Sequence, residues 1–261
     1  MAPAPGARAQ VLKDSLPELE GVGIVDRKGA EIPRGLVFTD DAGRSVTSDE
    51  WFDGERPVLL VLAYYDCPLL CTLTLNSVQR ALNEMDWTTG VQYRVVTVSF
   101  DSRNSTEDAR EKRELYLAGY AREAPADGWR FHTGSVEQIK ALTNAVGFHY
   151  RFLAESGEFS HPSAAFFLSP DGRLHNFIEQ LKFDPKEVRL ALMEAADGRA
   201  GSIFDRIAHR CFPYDPRTGR HSARATGVMQ VGVAAASVGV AGFVAYSVLS
   251  KRGGSGAGGM G

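Results

Sequence analysis

The sequence predicts an α/β protein in which helices flank a mixed β-sheet. An apolar run at residues 58–63 is typical of a buried strand, and a helical pattern at 75–85 and a second strand at 93–100 follow it. A strand, a helix and a strand in succession indicate a parallel pair, because parallel neighbours need a crossover connection. The chain of 261 residues is 44% hydrophobic and 23% charged. Such a length allows one domain of about 150–200 residues with attached segments.

The later elements predict an antiparallel edge on this sheet. Strands at 164–168 and 174–178 are separated by a short segment in which Pro170 and Gly172 favour a tight turn. The other predicted elements are an extended arm with a hairpin within 17–44, a helix at 105–120, a short strand at 129–131, a helix at 136–146 that Gly147 ends, and a helix at 186–195 that follows Pro185.

An uncharged segment near the C-terminus predicts one membrane span. Residues 225–250 carry no charge, and the nearly apolar stretch 231–249 has the length of a helix of roughly 28 Å, close to the hydrocarbon thickness of a bilayer. A buried core helix is the alternative, but arginines precede the segment and Lys251 and Arg252 follow it. The predicted organisation is a remnant of a signal peptide at 1–10, a domain at 11–200, a linker at 201–226, a transmembrane helix at 227–250 and a Gly-rich tail at 251–261.

The charge distribution excludes nucleic acid as a partner and indicates on which side of a membrane the main domain lies. The formal charge of −3 comes from interspersed acidic and basic residues, so no basic stripe is available for nucleic acid. Residues 1–10 lack the apolar stretch of a signal peptide, although Ala7 and Ala9 have the spacing of a cleavage site. Lys251 and Arg252 weakly favour a cytoplasmic tail. We therefore expect a membrane-anchored protein with its main domain on the periplasmic side of a bacterial inner membrane.

Cys67 and Cys71 are the principal candidates for chemistry. They follow the strand at 58–63 and precede a helical stretch, with Pro68 suited to the first helical position. Backbone N–H groups at a helix start stabilise thiolate, the form that binds metal or attacks a disulfide. A spacing of four residues also lets both sulfurs face one soft ion. A metal ion, a disulfide and simple packing all remain possible at this point.

A cuprous ion at this pair needs a third ligand, for which imidazole is well suited. His161 stands just before the strand at 164–168, where an α/β sheet brings it near the first helix. Pro162 restricts its backbone to an extended conformation and allows a cis bond. His132, at the end of another strand, is a candidate supporting residue. Cys211 has no cysteine partner nearby, and a structural role is favoured for it.

Three motifs together resemble the Sco/SenC copper chaperones, which are thioredoxin-like proteins that serve cytochrome c oxidase assembly. They are Tyr65-Asp66-Cys67-Pro68-Leu69-Leu70-Cys71, Val98-Ser99-Phe100-Asp101, and His161 eleven residues before Gly172. The resemblance covers roughly residues 16–195. It implies a thioredoxin-like fold, one copper ion bound by Cys67, Cys71 and His161, a structural or redox-supporting role for Asp101, and a copper-receiving subunit of a respiratory oxidase as the partner.

The position of the predicted span departs from the usual family pattern. Familiar members have their membrane anchor before the domain, whereas here it follows the domain. A subset of bacterial relatives is similar to this chain in having a Cys211-Phe212-Pro213-Tyr214-Asp215-Pro216 segment and then a C-terminal span.

Two functions follow from these residues, and a third is disfavoured. The first is a membrane-anchored metallochaperone that holds copper and delivers it. The second is a thiol-disulfide oxidoreductase in which Cys67 and Cys71 reduce cysteines of a copper-receiving protein. The extra residue relative to a Cys-x-x-Cys motif favours metal binding over turnover. A peroxidase of the peroxiredoxin type is disfavoured because Tyr64 stands where that class has threonine.

Overall fold

The computed structural model describes residues 21–67 and 69–197, together with the backbone of two short C-terminal strands. Its strands in chain order are β1 Gly23–Ile24, β2 Val37–Asp40, β3 Ser45–Thr47, β4 Val58–Ala63, β5 Arg94–Ser99, β6 Trp129–Gly134, β7 Phe148–His149, β8 Arg151–Leu153, β9 Glu158–Ser160, β10 Ala164–Leu168, β11 Leu174–Glu179, β12 Tyr214–Asp215 and β13 Arg220–His221. Its helices are α1 Leu70–Glu84, α2 Thr106–Ala118, α3 Val136–Val146 and α4 Pro185–Ala196, with a 3-10 turn at Ser48–Trp51.

Seven strands form a mixed sheet in the order β11-β10-β4-β5-β6-β2-β3. The central strands β4, β5 and β6 are parallel, as the strand and helix alternation predicts. β10 runs antiparallel to both β4 and β11, and β2 runs antiparallel to both β6 and β3. With flanking helices, this architecture is the thioredoxin-like arrangement that the resemblance implies.

β4 lies inside the sheet between β10 and β5, and its sequence explains why. All six of its residues are apolar and at most 3% exposed. A continuous apolar run fits a strand that is covered on both faces, whereas an alternating one fits a strand with a solvent face. β4 therefore provides a rigid support for the loop that carries Cys67.

The ends of the helices follow local sequence signals. Ser105 caps α2 by accepting a hydrogen bond from the Asp108 N–H, and Asp184 caps α4 just before Pro185. Gly147 ends α3 in the left-handed conformation at φ 72°. A Cβ at this glycine would lie 1.9 Å from the Val25 carbonyl oxygen, so only glycine allows β1 to approach β7 here.

Most predicted elements are confirmed, with differences at their ends. β4 has the predicted bounds, and α3 and the β10–β11 hairpin agree closely with expectation. β6 is longer than the predicted strand at 129–131 because it pairs with both β5 and β2. The hairpin expected within 17–44 is the β2–β3 pair, which extends to Thr47. The hairpin formed by β8 and β9 was not predicted.

The C-terminal predictions lie outside the described residues. The chain divides into units 1–200 and 201–261, and in the second unit the structure describes only the antiparallel pairing of β12 with β13. The linker at 201–226 is thus described only at these strands, and the transmembrane helix predicted at 227–250 is not described at all. Among the residues that are described, no helix has the length and apolar character to cross a membrane.

Candidate metal centre

The two cysteines lie at the junction between β4 and α1. Cys67 is in the connecting loop, and Cys71 is the second residue of α1, so the helix does not begin at Pro68 as expected. The Cys71 N–H donates a hydrogen bond to the Cys67 Sγ at 3.1 Å, and the Tyr64 N–H donates to the Cys71 Sγ at 3.3 Å. One backbone N–H at the helix start and one directly after β4 therefore each donate to one of the two sulfurs. The pair is present as two buried thiols rather than a disulfide.

A buried polar network fixes the loop that carries Cys67. The side-chain oxygen of Asn104 accepts hydrogen bonds from the Tyr65 N–H at 2.8 Å and from the Ser99 Oγ at 2.6 Å. The amide nitrogen of Asn104 donates to the Asp66 carboxylate at 2.6 Å. The Tyr65 hydroxyl donates to the His132 carbonyl at 2.7 Å and accepts from the His132 N–H at 3.0 Å. The loop is thus bonded to both β5 and β6.

His161 reaches the pair from the opposite side. It directly follows β9, and its Nε2 lies 3.2 Å from the Cys71 Sγ. Its Nδ1 lies 2.9 Å from the Pro162 carbonyl oxygen, a contact that places the ring proton on Nδ1 and leaves Nε2 free to bind a metal. The bond between His161 and Pro162 is trans, so the cis alternative is not adopted.

Cys67, Cys71 and His161 form one compact set of possible ligands. Their ligand atoms all lie within 4.8 Å of one another, and all three residues are buried. Thiolate and imidazole ligands bind at about 2.0–2.3 Å, so one ion can bridge a set of this size with small adjustments. Two sulfurs and one imidazole favour a soft ion such as Cu(I). Within the described part of the chain, no other group of three His, Cys, Asp or Glu residues meets these conditions.

The two thiols have different acidities. The neighbouring side chains of Cys71, His161 and Tyr64 lower the pKa of Cys67, and Cys71 makes the largest contribution against the opposing effect of burial. Burial raises the pKa of Cys71, and the neighbouring Cys67 thiolate raises it further. The metal-free pair thus carries one negative charge, on Cys67. Binding a soft cation as a dithiolate requires the release of the Cys71 proton.

Comparison with known proteins identifies the family. Residues 26–196 match the sequence profile described as SCO1/SenC. This chain belongs to the SCO1/SenC family. The "Putative copper-binding protein" of Stutzerimonas stutzeri is 27% identical over 130 residues, which are 48% of this chain and 60% of that relative. The match therefore spans less than two thirds of the length of this curated relative.

Solved structures show the same fold at low identity. A "putative electron transfer protein" from Aquifex aeolicus VF5 aligns with a TM-score of 0.58 and 22% identity over 65% of this chain and 95% of its own. Arabidopsis thaliana ScoI with copper bound aligns with a TM-score of 0.51 and 18% identity over 66% of this chain and 99% of its own. These similarities establish the fold of this SCO1/SenC member.

An aromatic wall surrounds the imidazole in this family member. The His161 ring lies 5.1 Å from Phe100, 5.8 Å from Tyr64 and 6.4 Å from Phe148, measured between ring centroids. The Tyr64 hydroxyl donates a hydrogen bond to Glu158, and burial together with that carboxylate raises the pKa of Tyr64. The wall limits access of water to the site. Cys67 and His161 are each 7% exposed and Cys71 only 2%, so access is from the Cys67 and His161 side.

Asp101 and His132 lie beside the site and contribute to its support. Asp101 is buried and binds the Arg103 guanidinium, with its Oδ2 2.7 Å from Arg103 Nη2. It therefore has a structural contact and none with the two sulfurs.

The His132 Nδ1 bonds to the Thr97 carbonyl at 3.2 Å, and burial lowers the pKa of His132 to about 4. Neither Asp101 nor His132 belongs to the set of ligand atoms. Cys211 lies outside the described residues.

Sequence reasoning missed the residues that support the site. In the sequence, Tyr64 is informative only against a peroxidase motif, and no pattern marks Asn104 or Glu158 as part of the site. Asn104 follows a strand end by five residues, and no motif marks its return to the cysteine loop. A signal for the β8–β9 hairpin was available, since Ser156 and Gly157 separate two short segments that each contain phenylalanine.

Proposed function

We propose that this SCO1/SenC protein binds one copper ion through Cys67, Cys71 and His161 and delivers it to a copper-receiving subunit of a respiratory oxidase. The convergence of two buried sulfurs and one imidazole nitrogen within 4.8 Å is the observation that carries this proposal. Family membership and the copper-binding relative of S. stutzeri support the choice of copper. The oxidase partner follows from the family resemblance.

The geometry fits delivery by ligand exchange. A site with two thiolates and one imidazole leaves Cu(I) an unfilled coordination position. The greater exposure of Cys67 and His161 than of Cys71 supports an open position on their side of the site. An incoming thiolate of the recipient replaces one ligand at a time, so copper does not enter solution. Oxidation of the cysteines to a disulfide removes both sulfur ligands, so binding depends on the redox state of the pair.

Anaerobic titration of the reduced full-length protein with Cu(I), in competition with a chromophoric chelator, tests this proposal. We expect one Cu(I) per chain, no tight binding in Cys67→Ser or Cys71→Ser, and affinity lowered at least about tenfold in His161→Ala. Cys211→Ser and His175→Ala are the matched controls and should bind as the wild type does. Binding below one equivalent, or unchanged binding in His161→Ala, contradicts the three-ligand site.

A thiol-disulfide oxidoreductase is the second candidate, favoured by the unequal acidities of the pair. The Cys67 thiolate attacks a substrate disulfide to form a mixed disulfide and release one substrate thiolate. Cys71, once deprotonated, displaces the second substrate thiolate and closes the Cys67–Cys71 disulfide. The substrate gains two electrons, and the pair loses two. Rapid reduction of a cysteine-pair peptide by the metal-free protein, lost in Cys67→Ser but not in His161→Ala, would favour this function.

We further propose that residues 227–250 anchor the protein in a bacterial inner membrane with the main domain on the periplasmic side. The uncharged character of 225–250 and its basic flanks support this placement. Fractionation of cells expressing the full chain and a variant lacking 227–250 tests it. Only the full chain should sediment with membranes, and external protease should reach its main domain in spheroplasts. A full chain that remains in the supernatant contradicts the anchor.

A further inference from the structure

Tyr64 contacts several parts of the candidate site without being a ligand. Its N–H donates to the Cys71 Sγ at 3.3 Å, and its ring meets the His161 ring edge-on at 5.8 Å and 85°. Its hydroxyl donates a hydrogen bond to Glu158 on β9. The side chain is nearly inaccessible, with the residue 4% exposed. One residue therefore links the end of β4, the cysteine pair, the imidazole and the β8–β9 hairpin.

The hairpin determines where His161 lies, but it is not part of the central sheet. β8 and β9 form a two-stranded sheet of their own, and β9 ends at Ser160, immediately before His161. An isolated hairpin is marginally stable in water, so contacts with the domain must hold it in place. The Phe159 ring provides one such contact, 5.3 Å from the Tyr64 ring and 5.6 Å from the Phe100 ring.

We infer that Tyr64 is a positioning residue whose hydrogen bond to Glu158 holds the β8–β9 hairpin over the site and keeps His161 within reach of the cysteine pair. A hydrogen bond from a phenol to a carboxylate is stronger than one between neutral groups. The Tyr64 end of this bond is fixed by β4, whereas the Glu158 end lies on the hairpin. Breaking the bond frees the hairpin while the cysteine loop keeps its own network.

This inference rests on the proposed function for its consequence, which is control of copper retention. When the hairpin opens, the imidazole withdraws and two sulfurs alone hold the ion. Loss of a group that orients a metal ligand typically lowers affinity by about 10–100-fold. Tyr64 thus sets the rate at which copper becomes available to a recipient.

Amide hydrogen exchange of the metal-free, full-length protein tests the structural part without any need for copper. In Tyr64→Phe, we expect exchange in residues 151–160 to be about tenfold faster, because a hydrogen bond to a charged group is lost. Tyr150→Phe is the matched control, since its ring lies in the same aromatic cluster, 5.7 Å from Phe159, and its hydroxyl is not the one that binds Glu158. Unchanged exchange in Tyr64→Phe overturns the inference whether or not the protein binds copper.

Glu158→Gln provides a second variant that retains an acceptor oxygen at the same place. We expect it to accelerate exchange of the hairpin less than Tyr64→Phe does, because a neutral amide accepts a weaker hydrogen bond. Acceleration equal to or greater than that of Tyr64→Phe would contradict a role for the hydrogen bond itself.

Copper release to an excess of chelator tests the link to the site. Wild type, Tyr64→Phe, His161→Ala and the double variant are loaded with Cu(I) and compared. Release should be about tenfold faster in Tyr64→Phe than in wild type. Adding Tyr64→Phe to His161→Ala should accelerate release much less, by no more than the direct effect of Tyr64 on the Cys67 thiolate. Equal acceleration in both backgrounds would show that Tyr64 does not act through His161. A wild type that fails to load copper instead contradicts the proposed function, and hydrogen exchange still decides the role of Tyr64.

Discussion

The two sides of the candidate site are built differently. The cysteine side is continuous with the central sheet, and Asn104 bonds Tyr65 and Asp66 of the cysteine loop to Ser99 at the end of β5. The histidine side follows a hairpin that pairs only with itself among the described strands. Ring contacts and a few polar side chains attach that hairpin to the domain.

This difference separates two tasks that a metal-delivering site must perform. The sulfurs need a fixed arrangement, because two thiolates bind one ion strongly only when both are held at the right distance. The imidazole needs to be released at a modest cost, because transfer requires a ligand to leave. Elements held by few contacts open most readily in native proteins. We therefore expect substitutions on the cysteine side to affect global stability and those on the histidine side to affect local opening.

Asn104→Ala should have the largest effect, because it removes the centre of the network on the cysteine side. The substitution leaves the buried Tyr65 N–H without its acceptor and leaves the Ser99 hydroxyl with only the Asp101 carbonyl, at 3.2 Å. We expect the free energy of unfolding to fall by about 4 kcal/mol, from unsatisfied buried groups and the space left behind. Urea unfolding of the metal-free protein measures this loss.

The exposed asparagine Asn144 on α3 gives the matched control for this substitution. Asn144→Ala should change the free energy of unfolding by no more than about 0.5 kcal/mol. A loss below about 1 kcal/mol in Asn104→Ala would show that the cysteine loop does not depend on this network.

His132 should make the cysteine side sensitive to acid. Burial lowers the pKa of His132 to about 4 in the folded protein, against about 6.5 for an unfolded chain. Between these pH values the unfolded chain takes up a proton that the folded protein does not. Stability is therefore complete above pH 6.5 and falls as the pH is lowered, by about 3 kcal/mol at pH 4.

Comparison of the wild type with His132→Asn isolates this contribution. The decrease in the free energy of unfolding from pH 7 to pH 4 should be smaller by about 3 kcal/mol in the variant, because asparagine does not titrate. The partly exposed His175 is the control, and His175→Asn should retain the decrease seen in the wild type. Equal decreases in wild type and His132→Asn would show that folding does not lower the pKa of His132.

The sequence was informative about the cysteine side and less so about the histidine side. The apolar run of β4 and the cysteine spacing are local patterns, so both the strand and the pair could be predicted. The position of His161 required the family resemblance, because its contact with Cys71 joins residues ninety positions apart. The predicted helix start was wrong, because α1 begins at Leu70 and the Cys71 N–H in its first turn donates to the Cys67 Sγ.

Residues that support the site were the least predictable. Asn104 contacts a loop 39 positions earlier, and Tyr64 contacts Glu158 94 positions later. Both contacts depend on the register in which distant strands meet. An isolated asparagine or tyrosine carries no periodic signal of such a role. The metal ligands could therefore be predicted from their distinctive chemistry, whereas the residues that hold them in place could not.

Arg103→Lys should have the smallest effect and should act chiefly on the histidine side, because lysine keeps a cation beside the buried Asp101 but lacks the planar guanidinium. The Arg103 guanidinium lies 5.1 Å from the Phe152 ring and 5.4 Å from the Phe159 ring while it is bound to Asp101, so it holds both strands of the hairpin. Partly exposed cation–π contacts contribute about 1 kcal/mol. We expect hydrogen exchange in residues 151–160 to be roughly fivefold faster, with little change in global unfolding. Arg110→Lys, which replaces an exposed guanidinium on α2 in the same way, should leave this exchange unchanged. Equal loss of stability throughout the domain in Arg103→Lys would show that the hairpin and the sheet unfold together, and that the two sides of the site do not differ.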